Sequence, residues 1–147
     1  MSDTVETAIT IDVPPRQVWD AIMDAHRLAD WVHIHVKLED APEGELQPGS
    51  TFTQRLRLTG VPFKVRWTVD EADSPTFARW TGDGPMGSKA HVRYELEPRG
   101  DSTCFRYVNE FEPPPFIRGP IAKIIERGPA RREAKRSLAD LKKLLEG

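Results

Sequence analysis

Apolar and polar positions alternate through most of this chain and then change period near its end. Residues 5 to 13 place Val5, Ile9, Ile11 and Val13 on one side and Glu6, Thr10 and Asp12 on the other, the pattern of a half-buried strand. Pro14 and Pro15 end it and open a short helix whose apolar face is Val18, Trp19 and Ile22. Asp24 is placed to cap a second short helix through Leu28 to Trp31, its carboxylate accepting from the N–H groups of the first turn. Ile34, Val36 and Leu38 then alternate with His33, His35 and Lys37, which predicts another strand, and Glu39 to Gly49 reads as a loop.

An antiparallel succession follows, divided by turns at Thr59–Gly60, Ala72–Pro75, Gly82–Gly87 and Arg99–Ser102. One face of each strand is apolar: Phe52, Leu56 and Leu58; Val61, Phe63, Val65, Trp67 and Val69; Ala90, Val92, Tyr94 and Leu96; Phe105, Tyr107 and Phe111. The run Thr76 to Thr81 puts Phe77 and Trp80 on opposite faces and leaves its orientation open. Clean alternation over several strands means a sheet covered on one side. The cover is the last segment, Pro120 to Leu145, where apolar residues recur at helical spacing. Its early stripe (Ile117, Ile121, Ile124, Ile125) and its late one (Ala134, Leu138, Leu141, Leu145) lie a quarter-turn or more apart, with Gly128 and Pro129 between, so a bend is expected there. The fold class is therefore α+β: a curved antiparallel sheet of about seven strands wrapped around a long C-terminal helix, with two short helices after the first strand.

Length and charge narrow the possibilities. A chain of 147 residues is expected to form a single domain, residues 1–147, burying about two thirds of its unfolded surface. A net charge of -2 argues against a general nucleic-acid binder; the basic run Arg131, Arg132, Lys135 and Arg136 reads as a solvated helix face. One cysteine, Cys104, and no long apolar span point to a cytoplasmic protein without stable membrane association. Monomer and homodimer both remain open.

Several motifs are weighed and set aside. Gly82, Gly84 and Gly87 match G-x-G-x-x-G, but Pro85 interrupts and an alternating strand follows where a helix N-terminus is needed, so they read as a hairpin loop and no cofactor is expected. His33 and His35 lie two apart on one side of a strand without a third ligand in pattern, so no metal is expected. Arg93, Arg106, Glu110 and Glu112 fall opposite the apolar face and read as cross-strand charge pairs. Gln54, Tyr94, Tyr107 and Asn109 are the polar groups that the alternation turns inward, and a few polar groups among aromatics is how a small-molecule pocket is lined. A filled core, in which those groups satisfy one another, is the competing reading.

The order of elements, with Ile11, Val13, Pro14–Pro15, Val18–Trp19, Ile22, Leu28 and Trp31 at the start, resembles the START-like helix-grip superfamily (SRPBCC). So do Tyr94, Leu96, Glu97, Pro98 and Gly100, then Thr103, Phe105, Glu110 and Phe111, and at the end Leu138, Leu141 and Leu145. That superfamily includes polyketide cyclases and dehydratases, lipid-transfer domains and plant ligand-binding allergens. The resemblance implies a cavity between the sheet and the last helix that holds a hydrophobic or aromatic small molecule, lipid or polyketide-like. Its wall would draw on Phe52, Gln54, Leu56, Phe63, Val65, Trp67, Tyr94, Tyr107 and Asn109, with Met86 at the mouth and Ile117, Ile121 and Ile124 as the roof. Two alternatives stand beside this one. The first is a cyclase- or dehydratase-type enzyme using the same cavity, with Tyr94, Tyr107 and Asn109 as candidates and no evident catalytic motif. The second is a ligand-free interaction module of the chaperone-regulator type.

Overall fold

The computed structural model describes residues 3–114 and 127–147. Strand β1 (Asp3–Ile11) is followed by helix α1 (Pro15–Ile22), a 3-10 turn (Ala25–Arg27) and helix α2 (Leu28–Trp31). Then come β2 (His35–Glu39), β3 (Thr51–Leu58), β4 (Val61–Asp73), β5 (Phe77–Asp83), β6 (Lys89–Arg99) and β7 (Ser102–Glu112), and finally helix α3 (Arg127–Glu146). The strands form one antiparallel sheet in the order β1-β7-β6-β5-β4-β3-β2, curled into a half-barrel. Six consecutive strands form a meander, and β1 closes on β7.

Side-chain alternation decides which face is concave. Val5 and Ile11 on β1, Val65, Trp67 and Val69 on β4, Val92, Tyr94 and Leu96 on β6, and Phe105 on β7 are all buried. The orientation left open for the run Thr76 to Thr81, now β5, is resolved by Ala78 and Trp80, which are buried while Arg79 is exposed. Helix α3 lies along β1 and against α2, with Ala134, Ser137, Leu138 and Leu141 buried. The upstream apolar stripe, Ile117, Ile121, Ile124 and Ile125, lies outside the described residues; Gly128 and Pro129, where a bend is expected, fall in the first turn of α3.

The long loop after β2 is held rather than free. Glu45 accepts from the indole Nε1–H of Trp19 (3.0 Å) and from Arg16 (2.8 Å), and the Leu46 N–H donates to the Met23 carbonyl (2.7 Å). Asp24 caps as expected, accepting from the His26 N–H at 3.0 Å, although the element it caps is the 3-10 turn that leads into α2.

β2 departs from the expected pattern. Ile34 falls in the turn before it, and Val36 is 57% exposed, although the alternation placed it with the core residues. The cause is a β-bulge: His35 pairs with Leu56 and Lys37 with Arg55, so Val36 is the extra residue. An extra residue swaps the two faces, which brings His35 to the side of Leu56 and turns Lys37 outward beside Arg55. His33 lies in the turn before β2 rather than in the strand, so strand alternation does not set the two histidines side by side.

Glycine 82 has a packing role. It sits within β5 on the concave side, where an added Cβ would meet Val65 Cγ1 at 2.3 Å and Trp67 Cε3 at 2.8 Å. A 3-10 turn (Pro85–Gly87) and then strand β6 follow, so the G-x-G-x-x-G spacing belongs to a hairpin. Gly82→Ala is expected to destabilise the protein by about 1–3 kcal/mol through overpacking against Val65 and Trp67, measured by urea unfolding. A neutral outcome would mean that these two side chains are free to move aside.

Candidate functional site

Between α3 and the concave sheet lies a cavity of about 140 Å³. The sheet supplies most of its wall: Val5 from β1, Gln54, Leu56 and Leu58 from β3, Trp67 from β4, Trp80 from β5, Val92 and Tyr94 from β6, and Tyr107 and Asn109 from β7. Leu28, Val32 and Ile34 close one side. Helix α3 faces it with Ala130, Glu133, Ala134 and Ser137, and the small size of three of these is why the helix leaves space there. Four residues later along the same helix, Leu138 and Leu141 fill the corresponding volume.

Six of the residues singled out from the sequence meet on this wall: Gln54, Leu56, Trp67, Tyr94, Tyr107 and Asn109. Phe52 and Val65 face inward but pack within the core, Phe52 edge-on to Trp80 with ring centres 5.5 Å apart. Phe63 and Met86 line a separate groove beside the β3–β4 hairpin, together with Val36, Arg57 and Pro85, and Met86 is 60% exposed. Ile117, Ile121 and Ile124 are outside the described residues. Trp80, Glu133 and Ser137 are wall residues that sequence reasoning missed. Trp80 was hidden by the ambiguous phase of its strand, whereas Glu133 and Ser137 sit among charged residues in a helix whose apolar stripe begins beside them.

Polar groups on the wall are organised in two sets. The indole of Trp67 donates from Nε1 to Gln54 Oε1 at 3.0 Å, and Gln54 Nε2 lies 3.0 Å from His35 Nδ1. Because an indole N–H only donates, the amide oxygen of Gln54 must face it, its NH₂ must face the histidine, and Nδ1 must be an unprotonated acceptor. Burial also lowers the His35 pKa from its usual value near 6.5, in the same direction. The second set lies at the helix. The His33 backbone N–H donates to Ser137 Oγ (2.8 Å), whose hydroxyl donates to the Glu133 carbonyl (3.0 Å), and the His33 ring pairs with the Glu133 carboxylate. Glu133, with its side chain 18% exposed, is thus tied to the segment between α2 and β2.

Tyr94 and Tyr107 lie with ring centres 5.5 Å apart beneath Trp31. Burial raises the Tyr94 phenol well above its ordinary range, with the neighbouring Tyr107 adding to the effect. Burial also raises Tyr107, while the Asn109 side chain works the other way. Both phenols are neutral donors at physiological pH. Arg93 pairs with Glu95, and Arg106 with Glu6 and Glu95, on the opposite, solvent-facing side. Among the described residues no group of three His, Cys, Asp or Glu side chains is arranged to hold a metal ion.

A curled antiparallel sheet gripping a long C-terminal helix, with a cavity between them, is the helix-grip architecture. Residues 2–146 match the family model described as polyketide cyclase/dehydrase and lipid transport, and the chain belongs to that family. The Streptomyces sp. R1128 ZhuI aromatase/cyclase is similar in structure, with a TM-score of 0.81 at 15% identity over 99% of this chain and 94% of that one. Major latex-like protein 151 of Panax ginseng superposes with a TM-score of 0.72 at 10% identity, covering 99% of both chains. At such identities these likenesses show the fold. In sequence the chain is 23% identical over 118 residues to a Mycobacterium tuberculosis protein named Toxin Rv0910, covering 80% of this chain and 81% of that protein.

The sign of the His35 shift gives a test. A folded-state pKa below the unfolded value means that the stability due to neutral His35 is fully present above about pH 6.5 and is lost as the pH falls through the lowered value. His35→Gln keeps an acceptor for Gln54 and removes the titration. Urea unfolding from about pH 7.5 to about pH 5 should show the wild type losing stability relative to the variant. Parallel curves would mean that His35 is as free to protonate in the folded state as in the unfolded one.

Proposed function

We propose that this protein binds a hydrophobic or aromatic small molecule in the cavity between α3 and the sheet. The observation that carries this reading is the cavity itself: about 140 Å³, mostly apolar, with a few oriented polar groups on its wall. A void of about 150 Å³ lined by apolar side chains admits benzene, whereas pockets for drug-sized ligands start at about 300 Å³. The size favours a single-ring compound over a long acyl chain. Membership of the polyketide cyclase/dehydrase and lipid transport family supports the same class of ligand. Among the described residues no helix is long and apolar enough to cross a membrane, and the single cysteine, Cys104, is a free thiol, which supports the cytoplasmic placement.

A second reading, a cyclase- or dehydratase-type enzyme, draws on one observation. Neutral Tyr94 and Tyr107 can donate hydrogen bonds but are poorly suited to remove a proton, so an acid–base role would fall to the Glu133 carboxylate, paired with His33 on the same wall.

Native mass spectrometry of the freshly purified chain is expected to show a bound molecule of single-ring size. Ala134→Leu, which extends a side chain from α3 into the cavity, should lower the affinity for that molecule by about tenfold or more while leaving the thermal midpoint unchanged or raised. Retention of full affinity by this variant would place the ligand elsewhere.

A further inference from the structure

We propose that the groove beside the β3–β4 hairpin is a second binding site, one that takes a single-chain amphiphilic anion such as a medium-chain carboxylate. The groove measures about 630 Å³ and is bordered by Val36 from β2, Arg57 from β3, Val61, Phe63 and Lys64 from β4, and Met86 from the turn before β6. Pockets for small ligands run from about 300 to about 1,000 Å³. Among the described residues the groove shares only Leu56 with the cavity, so a ligand here does not require one there.

Three features that cost the fold stability converge on this place. The bulge takes Val36 out of the β2–β3 ladder and leaves it 57% exposed, and a bulge on an edge strand re-aims a side chain. Met86 has φ 59° and ψ 32°, the left-handed conformation that residues other than glycine rarely adopt. It is also 60% exposed, so burial does not offset the strain, and a glycine would take the same conformation freely. Arg55 and Lys64 stand directly opposite each other across the β3–β4 pair, where like charges destabilise a sheet. Glu39 reaches Arg55 at 3.1 Å, while Arg57 and Lys64 are exposed at the groove. Apolar surface beside clustered cations is matched by a molecule with an apolar chain and one negative group, since guanidinium and ammonium both pair with a carboxylate. A bilayer is flat and would meet the projecting Val36 and Met86 without entering the recess, so a free molecule suits it better.

Decanoate and decanol, each kept below the concentration at which it aggregates, test this on the full chain by titration in methyl proton–carbon correlation spectra. Decanoate should shift the Val36 and Met86 methyl signals and bind about tenfold or more tightly than decanol, as charge-assisted contacts imply. In the double variant Arg57→Gln, Lys64→Gln, the ratio of the two dissociation constants should fall by about tenfold. Met86→Gly should weaken decanoate binding by about tenfold while leaving the thermal midpoint unchanged or raised, because glycine relaxes the left-handed turn. A lowered midpoint would mean that Met86 serves the fold, and overturns its part in the site. Decanol binding as tightly as decanoate overturns the anionic class. Shifts confined to cavity residues such as Leu28 and Val92 would put decanoate in the cavity, overturning the groove site while leaving the cavity reading standing. Failure of decanoate to bind overturns the proposal outright. If the chain instead cosediments with phosphatidylglycerol vesicles, or the Val36 and Met86 signals move with protein concentration alone, the groove belongs to a bilayer or to a second copy.

Discussion

A sheet with one apolar face is stable only if that face is kept dry, and everything else in this molecule follows from how the drying is shared. Among the described residues, helices α1, α2 and α3 supply the cover. Leu138 and Leu141 fill the space over one part of the concave surface, and Trp31 packs down onto Tyr94, Phe105 and Tyr107. Over the neighbouring part the helix presents Ala130, Ala134 and Ser137, and the sheet is covered but not filled. A long helix laid on a curved wall can be large-sided at one end and small-sided at the other. The cavity arises where the side chains become short.

The polar groups of the wall are disciplined by the same enclosure. In a space without bulk water a donor must meet an acceptor, so the donor-only indole of Trp67 dictates how Gln54 is turned, and Gln54 in turn dictates which nitrogen of His35 carries a proton. His35 reaches that chain only because a bulge at Val36 reverses the faces of β2. A backbone irregularity on an edge strand thus sets the protonation state of a group connected to the cavity. At the helix, Ser137 and Glu133 tie α3 to the segment following α2, so the wall and the cover are joined by hydrogen bonds as well as by apolar contact.

Family membership and the superpositions at 10% and 15% identity belong together physically. A helix-grip frame needs alternating apolar positions, turns of the right length and an amphipathic last helix, and many residue combinations satisfy those demands. The chemistry of the cavity is constrained much less by the frame. Which residues are short and which polar atoms are paired vary without disturbing the sheet, and in this chain those features are Ala134 and the Trp67–Gln54–His35 chain.

Periodicity by itself determined the strands, the short helices after β1, the late stripe of the last helix and the inward phase of Gln54, Tyr94, Tyr107 and Asn109, because a repeat of two or 3.6 residues is written locally along the chain. It also placed Arg93 and Arg106 on the solvent side, where they pair with Glu95 and Glu6. It did not reveal the bulge at Val36, since an extra residue is defined only by what it faces on β3. Nor did it separate Phe52 and Val65, which pack inside the wall, from Leu56 and Trp67, which line the cavity, because all four share the same inward phase. That distinction depends on how far the opposing surface stands off at each point. The separation between α3 and the sheet is set by residues distant in sequence, so only the tertiary structure could decide it.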